Sequence, residues 1–236
     1  MNERPDLIAN ISPFGIGSYT AAEAARLLES TPRNVRRWMA GYSYRQGGKA
    51  RHMPPLWQSQ IPIIEGHVEI GFRDLIELRF VKAFIEAGLG LKAIRNCLLY
   101  ARELVHEERP FATRRFRTDG RTIFLESLDL AGSSELLDLK KHQYVLKQII
   151  ERTFRDLDIE ADVVARWRPY QGKESIVIDP ARAFGQPIVA RSGVPTIALA
   201  DAVEAEGSVK RVARLYELSE DEVRDAVRFE KHLRAA

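Results

Sequence analysis

Arg33, Asn34, Arg36 and Arg37 fall within five consecutive positions near the start of this 236-residue chain. A guanidinium can give two parallel hydrogen bonds to a guanine edge or a phosphate, and a carboxamide can pair with adenine. Arg45, Lys49 and Arg51 follow, and no acidic residue occurs between Glu29 and Glu65. Six cations with no anion among them suit a polyanionic partner; the alternative is a cluster on a solvated face. Catalytic chemistry finds less support. His52, His67, His106, His142 and His232 are scattered without ligand spacing, and there is no HExxH, P-loop, GxSxG or dinucleotide fingerprint. Asp156, Asp158, Glu160 and Asp162 alternate, which in a strand would place them on one face as a metal site or, more simply, as a solvated face. The expectation is a non-enzyme without metal or cofactor.

Composition agrees with a folded, unstapled protein. Hydrophobic residues make up 45% of the chain and charged ones 29%, so real cores can form. The single cysteine, Cys97, excludes an internal disulfide framework and a Cys-based zinc site; beside core positions it reads as a small buried hydrophobe. No apolar run nears the roughly 20 residues of a membrane span, and Met1 to Asp6 lack a signal pattern, which makes the cytoplasm the default location and leaves the membrane out as a partner. Net charge is only +3, but residues 1–130 hold 19 Lys/Arg against 15 Asp/Glu, whereas residues 131–236 hold 17 against 18.

The elements that must position the basic residues are legible. Residues 1–18, rich in Pro, Gly and Ser, read as a flexible arm. Thr20 and Glu23 form a capping box ahead of an Ala/Leu-rich helix whose Ala24, Leu27 and Leu28 share a face. Thr31 caps a second helix, Pro32 occupies its first position and Gly41 ends it. Val35, Trp38 and Met39 recur at i, i+3 and i+4 and face the first helix, which leaves Arg33, Asn34, Arg36 and Arg37 outward. Two short helices joined by a tight turn make a helix-turn-helix, whose second helix reads the major groove. Residues 42–70 then read as a wing, with Tyr42, Tyr44, Arg45, Lys49 and Arg51 near a Gly47-Gly48 tip that touches phosphates. The candidate DNA-binding set is thus Thr31, Arg33, Asn34, Arg36, Arg37, Tyr42, Tyr44, Arg45, Lys49 and Arg51.

Two amphipathic helices are expected over Phe72–Ala87 and Leu91–Val105. Asp119-Gly120 between β-prone runs predicts a hairpin, on which Arg114, Arg115, Arg117 and Arg121 are either a second basic surface or, more commonly for such charges, plain solvated edge residues. A helix is expected over about 135–155, packed through Leu136, Leu137, Leu139, Val145, Leu146, Ile149 and Ile150, then one strand from Ile159 to Val164 and a linker at 170–174. From Ser175 the texture changes to a small hairpin, Ile176–Ile178 with Ile188–Ala190. Three helices follow, capped by Thr196, Ser208 and Ser219, with Leu199, Val203, Val209, Val212, Leu215, Tyr216, Leu218, Val223, Val227 and Phe229 as their core. The fold class is mainly α with small β elements. It comprises an N-terminal winged helix-turn-helix (19–70), a central α+β segment that serves dimerisation (71–174) and a C-terminal three-helix module with a β-hairpin (175–236).

Residues 19–104 resemble the N-terminal part of a MerR-type regulator, most specifically at Asp74 to Val81 and Gly88 to Ile94. Residues 176–230 resemble a small domain family of formerly unknown function found in VapB-type antitoxins. The matching residues are Ile178-Asp179-Pro180, Gly185-Gln186-Pro187-Ile188-Val189, Val194-Pro195-Thr196, Gly207-Ser208-Val209 and Ser219 to Val223. Where that family usually has Gly-Thr-Arg before the Val/Ile-Pro, this chain has Arg191-Ser192-Gly193. The combined order is similar to a mycobacterial-type VapB antitoxin. The resemblance implies a homodimer that binds double-stranded operator DNA, represses its own operon and neutralises a cognate PIN-domain ribonuclease toxin. The alternative is a MerR-type transcription regulator that senses a small molecule through its C-terminal half.

Overall fold

The structure is a computed structural model that describes residues 15–131 and 143–235. It is mainly helical with small sheets. Strand β1 (Tyr19–Thr20) leads into α1 (Ala21–Leu27), where Thr20 Oγ1 accepts the Glu23 N–H and Glu23 Oε2 accepts the Thr20 N–H at 2.8 Å. After α2 (Pro32–Ala40), β2 (Tyr42–Gln46) and β3 (Lys49–Met53) form an antiparallel hairpin, and β4 (Glu69–Ile70) returns to pair with β1. The end of the expected arm is not free: Ile16 O accepts the Phe72 N–H and Ser18 N–H donates to Phe184 O. The rest of that arm, residues 1–14, lies outside the described residues.

Helices α3 (Phe72–Glu86) and α4 (Leu91–Val105) lie where expected. However, α3 is not amphipathic: Asp74 and Glu77 are as buried as Leu75, Ile76, Leu78, Phe80, Val81 and Phe84. Two of its six charged residues are thus enclosed together with the apolar ones, so α3 runs through the core instead of lying on it with one face. Its phenylalanines meet those of neighbouring elements, with ring centroids 4.8 Å apart for Phe80–Phe154 and 5.2 Å for Phe84–Phe124.

The hairpin expected at Asp119-Gly120 is instead the middle of one helix, α5 (Arg114–Leu130), capped by Thr113. Phe116, Gly120, Ile123, Phe124, Ser127 and Leu128 are buried at helical spacing. Gly120 is there for space, since a Cβ would lie 3.1 Å from the Phe116 ring and 3.2 Å from Ile150. Helix α6 (Gln143–Phe154) buries Leu146, Ile149 and Ile150, while Val145 is exposed. The first part of the expected 135–155 helix, with Leu136, Leu137 and Leu139, lies outside the described residues.

The single strand expected from Ile159 to Val164 is a hairpin, β5 (Leu157–Glu160) and β6 (Val163–Trp167), turned through Ala161 and Asp162 at φ 45° and 68°. The four alternating carboxylates therefore do not share a face. Asp156 binds Arg79 and Trp167, Asp158 binds Arg166 and Arg168, Glu160 binds Arg166, and Asp162 in the turn binds Arg114. Strands β7 (Ile176–Ile178) and β8 (Pro187–Val189) add to β6, giving one antiparallel sheet in the order β5-β6-β7-β8. That sheet runs across the position where a domain boundary was expected.

Helices α7 (Thr196–Glu206), α8 (Val209–Leu215) and α9 (Glu220–Ala235) pack through a second, smaller core of Val189, Leu199, Val212, Ala213, Leu218, Val223 and Ala226. Thr196 does not cap α7. Pro195 takes that position, and the Thr196 hydroxyl is engaged with Pro187 O and Glu230. Leu215 and Tyr216, expected in this core, are exposed. Leu215 is the last residue of this seven-residue helix and Tyr216 its C-cap, past the buried Val212 and Ala213. No helix among the described residues is long and apolar enough to cross a membrane.

Candidate nucleic-acid interface

The second helix is built from its cap outward. Thr31 Oγ1 accepts the Asn34 N–H at 3.1 Å, so this hydroxyl serves the helix end, and Pro32 costs no hydrogen bond at the first turn. Burying Val35, Trp38 and Met39 against the body fixes the rotation of α2. Arg33 and Arg36 are then exposed, with no ion pair or hydrogen-bond partner for their side chains among the described residues. Asn34 and Arg37 are half-buried. Arg37 lays its guanidinium 3.9 Å from the centre of the Tyr42 ring, a cation–π contact that ties the end of α2 to the hairpin.

The connection at Gly41 demands glycine. Its φ is 75°, and a Cβ would sit 2.4 Å from the Met53 carbonyl oxygen. Gly47 and Gly48, at φ 57° and 77°, form the two-residue turn at the hairpin tip. Cross-strand register decides which cations stand together. Tyr42 pairs with Met53, Tyr44 with Arg51 and Gln46 with Lys49, while Arg45 pairs with Ala50. Side chains alternate along a strand and paired residues share a face. Lys49 and Arg51 therefore share the face of Tyr42 and Tyr44, whose rings are 5.9 Å apart, and Arg45 points to the opposite face. The structure thus links Arg37, Tyr42, Tyr44, Arg51 and Lys49 into one ribbon leading from α2 to the tip, and sets Arg45 apart.

Two groups of residues outside the sequence-based candidates hold this arrangement. Arg95 on α4 donates to the carbonyls of Pro55 at 2.8 Å and Pro54 at 3.0 Å, where the chain leaves the hairpin. With Lys92, Leu91, Arg37, Trp38, Tyr42, Met53 and Leu56 it lines a cleft of about 190 Å³. Fully buried Asp74 anchors the segment after it, accepting from Trp57 Nε1 (2.9 Å), Arg109 Nε (2.7 Å), the Gln60 N–H (2.7 Å) and Ser59 Oγ (3.3 Å). Arg109 also donates to Gln58 O. Four donors, one of them a guanidinium, thus meet this buried carboxylate and satisfy its oxygens. Nothing local in the sequence distinguishes Arg95 or Asp74 from surface charges on a helix, since their partners are 14 to 41 residues away.

The second basic surface takes a different form from the one expected. Arg114, Arg115, Arg117 and Arg121 lie along α5 rather than on a hairpin. Arg114 is paired with Asp162 at 2.9 Å and Arg115 with the Leu104 carbonyl at 2.8 Å.

Comparison with known proteins follows this layout. Residues 17–98 match the family described as "Putative DNA-binding HTH domain", and residues 176–229 match "Protein of unknown function (DUF433)". Over 233 residues the chain is 28% identical to "Putative antitoxin VapB45" of Mycobacterium tuberculosis (strain ATCC 25618 / H37Rv), covering 91% of this chain and 94% of that protein. The X-ray crystal structure of Rv2018 from Mycobacterium tuberculosis has the same fold, with a TM-score of 0.69 at 24% identity over 91% of this chain and 99% of that one. Over 91% of its length this chain is similar to a putative VapB antitoxin, with a match to a putative DNA-binding helix-turn-helix domain ahead of a match to DUF433.

Proposed function

We propose that the protein is a cytoplasmic DNA-binding antitoxin that represses its own operon and neutralises a ribonuclease toxin of the PIN-domain type. The observation that carries the DNA half of this reading is the pair of exposed guanidinium groups, Arg33 and Arg36, at the N-terminal end of α2, without a partner among the described residues. In a winged helix-turn-helix that end enters the major groove, where arginine recognises guanine through two bonds. The β2–β3 hairpin is the wing, its Lys49 and Arg51 gripping the phosphate backbone. A homodimer would present two such helices to a palindromic site, which supplies the length of recognised sequence that one short helix lacks. The toxin half rests on the end-to-end similarity to an antitoxin.

The test has two arms. In gel-shift titrations with the DNA upstream of its own gene, Arg33→Ala and Arg36→Ala should each lose about 1–3 kcal/mol of specific affinity. Unaltered affinity in both variants would remove this face from DNA recognition. In the second arm the full chain is co-expressed with the product of the adjacent gene; failure to co-purify with it or to relieve its toxicity would remove the toxin reading.

A further inference from the structure

The cleft of about 190 Å³ between α2, the β2–β3 hairpin and the first turns of α4 has an apolar lining that nothing in the DNA-reading face uses. Its walls are Trp38, Tyr42, Met53, Leu56 and Leu91. Trp38 and Leu56 are buried, whereas Tyr42, Met53 and Leu91 stay half-buried, so apolar surface remains open to a ligand. An apolar cavity of about 150 Å³ already admits benzene. This cleft therefore has room for one aromatic ring, and its aromatic and thioether walls suit one.

The charges of this cleft are of one sign. The charged residues that line it are Arg37, Lys92 and Arg95, with no carboxylate among them. None of the three has a carboxylate partner elsewhere among the described residues. Arg37 lies 3.9 Å from the Tyr42 ring centre, and Arg95 gives its donors to the Pro55 and Pro54 carbonyls. Lys92 is exposed, with no hydrogen bond or ion pair among the described residues. By contrast Arg73, Lys82 and Arg102, on α3 and α4, are each answered by a glutamate. A ring or a carbonyl can solvate a cation but does not neutralise it. Charges of one sign around low-dielectric walls focus their field into the space between them, and here that field attracts an anion.

We propose that this cleft binds a small aromatic monocarboxylate, its ring against the apolar walls and its charge toward Lys92 and Arg37. Mostly apolar walls with a few placed polar groups are the usual make-up of a small-molecule site. A nucleic-acid backbone, charged at every phosphate, would leave these walls unused. Because Arg37 and Tyr42 line the cleft, the occupant touches α2 and the hairpin at once. Binding of this ligand does not depend on the DNA or antitoxin reading.

The test uses the full chain without DNA or toxin. Benzoate, its neutral analogue benzamide and ring-less acetate are titrated at constant pH and ionic strength, followed by calorimetry and by the thermal midpoint. Benzoate should bind saturably and raise the midpoint, benzamide should bind about tenfold more weakly, and acetate should give no saturable response. Lys92→Glu, a change on an exposed side chain, should weaken benzoate by about tenfold and leave benzamide unaltered, a split that general damage to the fold would not produce. Leu91→Trp fills the cleft from its half-exposed edge and should abolish both, with unchanged far-ultraviolet circular dichroism as the check on folding. Absence of saturable benzoate binding, benzamide binding as tightly as benzoate, or parental benzoate affinity in both variants overturns the proposal.

Discussion

Glu77 shows what a single residue can contribute in an enclosed setting. One oxygen accepts the Ala112 N–H at 2.9 Å, and the other has no partner among the described residues. Burial pushes its pKa up to about 8 from an ordinary 4.5, against the smaller opposing pull of the Ala112 bond and of Arg109. Between those two values the folded protein holds a proton that the unfolded chain has released. The stability linked to that proton is complete below the ordinary value and is lost as pH rises toward about 8. Glu77→Gln removes the titration. Its urea midpoint relative to the parent should therefore move in favour of the variant as pH rises from about 6 to about 9. Parallel midpoints across that range would show that Glu77 is not the group responsible. The sequence shows a glutamate in an apolar helix but not its burial, because the elements that close over it come from residues more than thirty positions away.

At the scale of elements, register distributes function. In the β2–β3 hairpin, sequence proximity groups Arg45 with Lys49 and Arg51, but the pleat separates them. If the shared face meets the DNA backbone, Lys49→Ala and Arg51→Ala should each reduce the slope of log affinity against log salt by about one unit, and Arg45→Ala should reduce it less. Filter-binding isotherms at several salt concentrations measure this; a slope that falls most for Arg45→Ala would place the opposite face on DNA. The α1–α2 pair was readable because its caps, apolar spacing and terminators all lie within 22 residues and agree with one another. In α5 local and tertiary preferences conflict. Asp119-Gly120 favours a turn, but the enclosed Phe116 side and Ile150 require a helix with a residue lacking Cβ at position 120. The β5–β6 turn failed to announce itself for the opposite reason, since Ala161 and Asp162 adopt left-handed backbone without any glycine.

At the scale of the molecule, the C-terminal helices do not stand apart from the helix-turn-helix. Tyr19 Oη donates to the Gly185 carbonyl at 2.6 Å in a buried contact, and Gly185, at φ 81°, could not carry a Cβ without meeting that hydroxyl at 2.5 Å. Tyr19→Phe should cost about 1–2 kcal/mol, because it leaves a buried carbonyl without its donor. Denaturant titration of the full chain measures that cost, and no loss would mean that water or a neighbour replaces the hydroxyl. A truncation after residue 174 is a poor way to locate toxin binding: it strips β7 and β8 from the sheet and bares the edge of β6, so lost binding there would follow from damage to the central segment. Point changes on the exposed Leu215 and Tyr216 leave the sheet intact and are the cleaner probes of that module.

By itself the sequence determined the mainly helical character with small sheets and the two capped helices of the helix-turn-helix with Arg33 and Arg36 outward. Each of these rests on caps, glycines and apolar spacing that act over a few residues. Only the tertiary structure decided that Asp119-Gly120 is helical, that the alternating carboxylates are dispersed among arginines, that Arg45 leaves the basic face and that one sheet joins the central and C-terminal parts. Those outcomes depend on which distant surfaces come together: burial and long-range pairing are worth more than the local preferences they override, and neither is written in any short stretch of the chain.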